Sequence, residues 1–122
     1  MASRARVFRD LATIRQIVDA AHDIEAFCKD ISLDEFRGDV KTWSATQYQI
    51  LVIGEAASRL SESFIAAHPE IPWREIKDMR NLLAHAYDLV RLDIVWQTAT
   101  HDVPSLCAAL TPLLPPQSES LQ

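Results

Sequence analysis

The sequence contains very little glycine, since Gly38 and Gly54 are the two glycines among its 122 residues. Phosphate-binding loops of the P-loop and dinucleotide types need two or three glycines at fixed spacing, so both types are excluded. A β-fold of many hairpins is also disfavoured, because tight turns depend on glycine. Apolar residues make up 48% of the chain and charged residues 24%. This composition is typical of a folded globular domain, here a mostly helical one.

Cysteine is equally scarce. Cys28 and Cys107 stand alone, without a CxxC pair, which excludes a zinc knuckle and a thioredoxin-like redox site. A disulfide between them stays open, but we expect two reduced residues in the apolar interior, where free cysteine is usually found. His22, His68 and His101 have no partner at metal-ligand spacing. We therefore expect surface or capping roles for these histidines, and no metal site.

Long apolar runs and an excess of positive charge are missing as well. No segment approaches the roughly 18 apolar residues of a membrane span, and the N-terminus carries no apolar signal core. We therefore expect a cytoplasmic protein without a membrane partner. Twelve basic against seventeen acidic residues give a formal net charge of −5. That balance argues against a dedicated binder of duplex DNA, but not against an enzyme that contacts one or two phosphates at a local basic spot.

What the sequence does contain is a series of helical patterns. Apolar residues at three- and four-residue steps predict one long amphipathic helix over residues 7–31 and a second over about 40–60. Ser32 and Glu35 match a capping box, which predicts a short helical turn ended by Gly38. Gly54 lies inside the second helix, where it costs about 1 kcal/mol relative to alanine. We expect the close approach of another helix to compensate for that cost.

The second half of the chain predicts three further helices. Pro72 suits the first position of a helix that ends at about residue 85, and a fourth helix covers roughly residues 92–101. Asp102 is predicted to be the N-cap of a fifth helix, with Pro104 in its first turn and an end near Leu114. We expect one domain over residues 1–114 and a flexible tail over 115–122. The predicted fold is all-α, a compact up-and-down bundle of four to five helices.

The densest polar cluster lies in and just after the third long helix. It comprises Arg74, Lys77, Asp78, Arg80, Asn81, His85, Tyr87 and Asp88. A guanidinium that holds an anionic oxygen and an imidazole that moves a proton form the smallest useful set for cleaving a phosphodiester without metal. The alternative is structural: such residues near a helix end often form a C-terminal cap and a solvated face.

The spacing of Arg80 and His85 adds a geometric condition. On an ideal helix their side chains point about 140° apart, whereas those of Arg80 and Tyr87 nearly align. Arg80 and His85 can therefore converge within one chain only if the helix ends between them. Otherwise a second chain must complete the site, which predicts a two-fold dimer with both motifs at the interface.

Several other residues allow two interpretations. Glu55 either orients Arg80, or contacts a second chain, or forms a salt bridge with Arg59 four residues later. The three tryptophans could stack on bases, but core or interface packing is the more usual role; they are Trp43, Trp73 and Trp96.

Residues 80–87 read Arg-Asn-Leu-Leu-Ala-His-Ala-Tyr, which is the RxxxxHxY signature of HEPN domains. Around it, Ile-Gly-Glu-Ala-Ala-Ser-Arg-Leu at 53–60 and His-Pro-Glu-Ile-Pro-Trp at 68–73 resemble the HepT-like family of bacterial and archaeal toxins. The resemblance extends from the first helix to Leu114. Ala86 departs from the family pattern, where many relatives carry glycine, but this change removes no functional group.

The resemblance implies a HEPN-type helical homodimer and a metal-independent endoribonuclease that uses no cofactor. Arg80 and His85 match the catalytic pair of the family, and Asn81 matches the polar residue that supports it. The resemblance also implies the toxin of a type VII-like toxin–antitoxin system. Its partner would be an MntA-type nucleotidyltransferase antitoxin, which adenylylates the motif tyrosine, here Tyr87. The added phosphate would occupy and repel the site for the RNA backbone.

A second interpretation comes from a different functional class. The chain could be a non-catalytic HEPN binding module that presents Tyr87 and the dimer interface to a minimal nucleotidyltransferase. The acidic net charge and the lack of an extended basic groove favour this alternative modestly.

Overall fold

A computed structural model describes residues 4–116 of the chain. Within this range the chain forms α-helices and no β-strand. The helices are α1 (Arg4–Cys28), α2 (Leu33–Arg37), α3 (Val40–Ala57), α4 (Glu62–Ala67), α5 (Trp73–His85), α6 (Leu92–Gln97) and α7 (Val103–Leu110). Two short 3₁₀ segments lie after α5 and after α7, at Tyr87–Leu89 and Thr111–Leu113. The predicted all-α fold is therefore confirmed. Residues 117–122 of the predicted tail lie outside the described residues.

The short helix α2 begins with the predicted capping box. The Ser32 hydroxyl accepts from the Glu35 backbone N–H at 3.1 Å, and the Ser32 N–H donates to Glu35 Oε1 at 2.8 Å. Asp39 caps α3 in a similar way, because its Oδ1 accepts from the Thr42 N–H at 3.1 Å. Its Oδ2 also accepts from the Thr42 hydroxyl at 2.6 Å. These hydrogen bonds from Thr42 lower the pKa of Asp39 below its ordinary value.

The core forms where α1 packs along α3 and α7, and α5 packs on α3. Its fully buried side chains come from α1, α2, α3, α6 and α7; the largest are Phe36, Ile14, Ile17, Ile24, Leu110, Val18 and Val95. The predicted packing role of the tryptophans is confirmed. The Trp96 ring lies 5.0 Å from that of Phe36, and Trp43 and Trp73 pack half-buried against the core.

The prediction that Asp102 is an N-cap is wrong. Asp102 has helical dihedral angles, φ −72° and ψ −42°, and its side chain makes no capping hydrogen bond. Instead α6 continues through a π-helical segment, Thr98–Asp102, directly into α7. The Val103 N–H donates to the carbonyl of Thr98, five residues earlier, and this wider turn accommodates Pro104, which has no N–H of its own. The predicted fourth and fifth helices are thus one continuous stretch.

Both cysteines are free, as expected, but Cys107 is only half-buried and does not lie in the interior. Cys28 is buried, and this burial raises the pKa of its thiol. Across residues 4–116, every helix is too short or too polar to cross a membrane.

Candidate functional site

The site is built where α5 crosses α3, and Gly54 makes that crossing possible. A β-carbon added at Gly54 would lie 2.7 Å from Cγ of Arg80 and even closer to its Cβ. Real β-carbons do not approach side-chain carbons that closely, so only glycine fits here. The predicted close approach of another helix to Gly54 is therefore confirmed, and the residue that approaches it is the arginine of the motif.

The Arg80 side chain is held by two neighbours. Its Nε donates to Glu55 Oε2 at 2.7 Å, and its NH2 lies 2.6 Å from the same oxygen. Its NH1 donates to Asn81 Oδ1 at 3.0 Å. The side chains of Arg80 and Glu55 are 30% and 42% exposed, so solvent and ligands can still reach the guanidinium.

These contacts decide between the interpretations of Glu55 within one chain. The carboxylate pairs with Arg80 and not with Arg59. Arg59 donates instead to the backbone carbonyl of Glu55 at 3.3 Å and to Gln16 Oε1 at 2.6 Å. Glu55 therefore orients Arg80, as one of the interpretations predicts.

His85 is the last residue of α5, and it is exposed. The Ala86 N–H still donates to the Leu82 carbonyl at 2.8 Å, so the helix is unbroken from Arg80 to His85. The condition under which the two side chains would converge within one chain is thus not met. About 140° of rotation around α5 separates them. A site that uses both groups together consequently needs an arginine or a histidine from elsewhere.

Tyr87 follows two residues later, at the start of the 3₁₀ segment Tyr87–Leu89. The Leu89 N–H donates to the Ala86 carbonyl at 2.9 Å and closes this turn. The backbone therefore places the tyrosine in the tight turn that follows α5, close in sequence and space to the end of the helix that carries His85.

His68 and His101 make contacts with neighbouring residues of the fold. His68 is the C-cap of α4, and its carbonyl accepts from the Trp73 indole N–H at 2.9 Å. His101 Nδ1 lies 3.0 Å from the Thr100 hydroxyl. Among residues 4–116, no group of three or more His, Cys, Asp or Glu side chains is arranged to hold a metal ion.

A cavity of about 530 Å³ lies beside the site but does not contain it. Its lining is mainly apolar and comes from α3, α5 and the α6–α7 stretch; Ile53, Met79 and Leu106 are among the residues there. Neither Arg80 nor His85 contributes to it. The motif residues instead occupy an open surface, which suits a long polymeric ligand better than an enclosed small molecule.

Sequence reasoning left one feature of the site undetected, namely that Asn81 accepts a hydrogen bond from its own neighbour Arg80. Adjacent residues on a helix point about 100° apart, so spacing alone gives no reason to pair them. The Glu55 contact, in contrast, has a signal in the sequence: Glu55 is an acidic residue next to a glycine within an apolar helix.

The chain is similar in sequence to several known proteins. A family model described as ribonuclease HepT-like matches residues 17–113. The "Probable ribonuclease HepT" of Thermococcus cleftensis is 40% identical over 93 residues, which cover 76% of this chain and 84% of that protein. A "Putative RNase" of Methanocaldococcus jannaschii is 35% identical over 94 residues, covering 77% and 78%. Another of Caldanaerobacter subterraneus is 36% identical over 78 residues, covering 64% and 70%. No solved structure matches the chain significantly.

Proposed function

Since the chain belongs to the HepT-like ribonuclease family, we propose that it is a metal-independent endoribonuclease whose site is built on Arg80 and His85. The observation that carries this proposal is that one helix presents both a held, accessible guanidinium and an exposed imidazole, in the segment that the family model covers. Asn81 supports the site through its hydrogen bond to Arg80.

Each group has a definite task in the proposed reaction. Arg80 binds the scissile phosphate and stabilises the negative charge that grows on its oxygens in the transition state. His85 accepts the proton of the ribose 2′-hydroxyl as that oxygen attacks phosphorus. The bond from phosphorus to the 5′-oxygen breaks, and the protonated His85 passes the proton to the leaving oxygen. The products are a 2′,3′-cyclic phosphate and a 5′-hydroxyl.

The separation of Arg80 and His85 around α5 favours a homodimer. Because α5 is unbroken between them, the two side chains leave the helix about 140° apart. A two-fold axis near the end of α5 would place the arginine of each chain beside the histidine of its partner. We propose this arrangement, with residues 1–114 as the folded unit of each protomer.

The proposed biological role is that of a toxin in a type VII-like toxin–antitoxin system in the cytoplasm. Its antitoxin would be an MntA-type nucleotidyltransferase that adenylylates Tyr87. A modified Tyr87 in the turn after α5 adds a phosphate close to the end of the catalytic helix. That charge would repel the RNA backbone and compete with it for Arg80.

The test is cleavage of single-stranded RNA by the purified protein, with EDTA present throughout. We expect fragments that end in 2′,3′-cyclic phosphate. Loss of all cleavage in EDTA would contradict the proposed metal independence. A protein that never cleaves RNA, yet gains the mass of an adenylyl group on Tyr87 when co-expressed with its nucleotidyltransferase, would instead support the non-catalytic binding module.

A further inference from the structure

Glu55 lies outside the RxxxxHxY motif, on a different helix, yet it makes the shortest contacts of the motif arginine. We propose that Glu55 is a positioning residue, which together with Asn81 holds the Arg80 guanidinium so that N–H groups of both terminal nitrogens remain to bind the scissile phosphate. This inference rests on the proposed ribonuclease function.

The hydrogen-bond inventory of the guanidinium supports the assignment. An arginine side chain has five N–H groups in a rigid plane and no acceptor. The Nε–H donates to Glu55 Oε2, and one N–H of NH1 donates to Asn81 Oδ1, while NH2 forms an ion pair with Glu55 Oε2 at 2.6 Å. Both terminal nitrogens therefore keep N–H groups that make no hydrogen bond within residues 4–116. N–H groups on the two terminal nitrogens of an arginine can bind two oxygens of a phosphate.

The packing of α3 against α5 supports this geometry. Glu55 follows Gly54 directly in α3, and the Arg80 side chain of α5 lies directly against Gly54. The carboxylate and the guanidinium therefore meet over a short distance between two packed helices. Contacts from Nε and NH2 to one carboxylate oxygen, together with the Asn81 contact at NH1, hold the guanidinium from both sides.

The negative charge of Glu55 gives this role a distinctive kinetic consequence. A carboxylate beside Arg80 cancels part of its attraction for phosphate, so it weakens ground-state binding of RNA. The same carboxylate orients the guanidinium for the transition state. Removing the charge should therefore lower both kcat and KM, a combination that loss of folded structure does not produce.

The experiment compares Glu55→Gln and Glu55→Asp with wild type, and uses Glu25→Gln, an exposed glutamate of α1, as the matched control. The substrate is a single-stranded RNA oligonucleotide, and binding is measured separately with the uncleavable 2′-deoxy strand of the same sequence. For Glu55→Gln we expect kcat to fall by about tenfold to a hundredfold, because misplacing a catalytic group by about 1 Å has effects of this size. KM and the Kd for the deoxy strand should both decrease.

Glu55→Asp keeps the charge but shortens the side chain by one methylene, so kcat should fall without tighter binding. Glu25→Gln should behave as wild type. Wild-type kcat and KM in Glu55→Gln would overturn the proposal. So would a lower kcat together with a higher KM and a lower Tm, since that result describes a structural role.

A second readout does not depend on cleavage. The Arg80 Nε–Hε resonance in the ¹⁵N NMR spectrum, assigned by its absence in Arg80→Lys, reports the hydrogen bond to Glu55 directly. We expect it to shift in Glu55→Gln and Glu55→Asp, and to stay unchanged in Glu25→Gln. If wild type does not cleave RNA but the resonance shifts, the proposed function fails while the contact stands. An unshifted resonance in both Glu55 variants overturns the positioning role itself.

Discussion

Gly54 of α3 and Arg80 of α5 touch so closely that the first carbons of the arginine side chain occupy the space of a glycine β-carbon. The atoms in question are Cβ and Cγ of Arg80, which are tied to the backbone and cannot swing aside as the guanidinium could. The helix crossing and the position of the Arg80 side chain are therefore set by the same contact. One pair of residues therefore affects both the packing of α3 against α5 and the position of the Arg80 side chain.

Gly54→Ala should consequently damage stability and activity together. Forcing a methyl group into a filled contact typically costs about 1–3 kcal/mol, and the better helix propensity of alanine returns only about 1 kcal/mol. We also expect α5 to shift away from α3 and Arg80 to leave Glu55, which should reduce RNA cleavage by about tenfold or more. Urea unfolding and the cleavage assay measure the two effects.

Gly38→Ala is the matched control. Gly38 has φ −85°, a conformation that alanine adopts without strain, and an added β-carbon would meet only ordinary contacts at 3.7 and 3.8 Å. Wild-type behaviour is expected for this variant. If Gly54→Ala were as stable and active as Gly38→Ala, the tight contact between α3 and α5 would not exist in solution.

His85→Ala should abolish cleavage and leave the fold intact. The side chain is exposed at the end of α5, so its removal takes away little packing. We expect a drop in cleavage rate of at least a hundredfold, which is in the range of a lost general base. His22→Ala, which truncates an exposed histidine of α1, should leave both cleavage and Tm near wild type. Full cleavage by His85→Ala would remove His85 from the mechanism.

The N-cap of α3 predicts a pH dependence of stability. Hydrogen bonds from Thr42 hold the pKa of Asp39 in the folded protein below the ordinary aspartate value of 3.8. A carboxyl group with a lowered folded pKa stabilises the protein above its unfolded pKa, and this contribution is lost as pH falls through the folded pKa. Asp39→Ala should therefore lower Tm at pH 7, and the difference from wild type should shrink at pH values below 3.8.

Asp39→Asn separates the cap from the charge. Asparagine also accepts a hydrogen bond at an N-cap, so this variant should retain most of the Tm at pH 7. Its Tm relative to Asp39→Ala should change little on acidification, because no carboxyl group titrates at this position in either variant. A Tm difference between wild type and Asp39→Ala that stays constant down to pH 2 would contradict the lowered pKa.

The sequence correctly predicted structure that depends on short-range patterns. The prediction was wrong where packing against neighbouring helices determines the local conformation. The Ser32–Glu35 capping box is a short-range pattern and was found as predicted. The role of Asp102 was predicted from the same kind of local pattern, an acidic residue ahead of a proline. There the continuous packing of α6 and α7 on the core favours a π turn over a new helix start.

In the candidate site, too, the sequence predicted some features and others depended on how the helices pack. The motif spacing marked Arg80 and His85 as candidates, and the glycine inside an apolar helix correctly predicted a close helix contact. The crossing of α5 over α3 determines that Arg80 is the residue that approaches Gly54. It also determines that Glu55 pairs with Arg80 rather than with Arg59. Periodicity along one helix contains no information about that crossing angle. Only the packed structure brings the three residues together.

The proposed site, shared between two protomers, makes a quantitative prediction for mixed variants. Arg80→Ala and His85→Ala should each be inactive alone, but a heterodimer of the two contains one site with an intact Arg80 from one protomer and an intact His85 from the other. Random mixing puts half of the chains into heterodimers, each with one of two sites restored, so cleavage should return to about a quarter of wild type. The measurement is the cleavage rate after the two variants are unfolded and refolded together.

Two controls define how that mixing experiment is read. Each variant, Arg80→Ala or His85→Ala, should stay inactive when it is unfolded and refolded alone. Size-exclusion chromatography with light scattering should show dimers in each sample, because restoration depends on assembly. A mixture that remains as inactive as either variant, although dimers form, would show that Arg80 and His85 act within one chain. The unbroken α5 would then have to open between them, against the geometry of the helix.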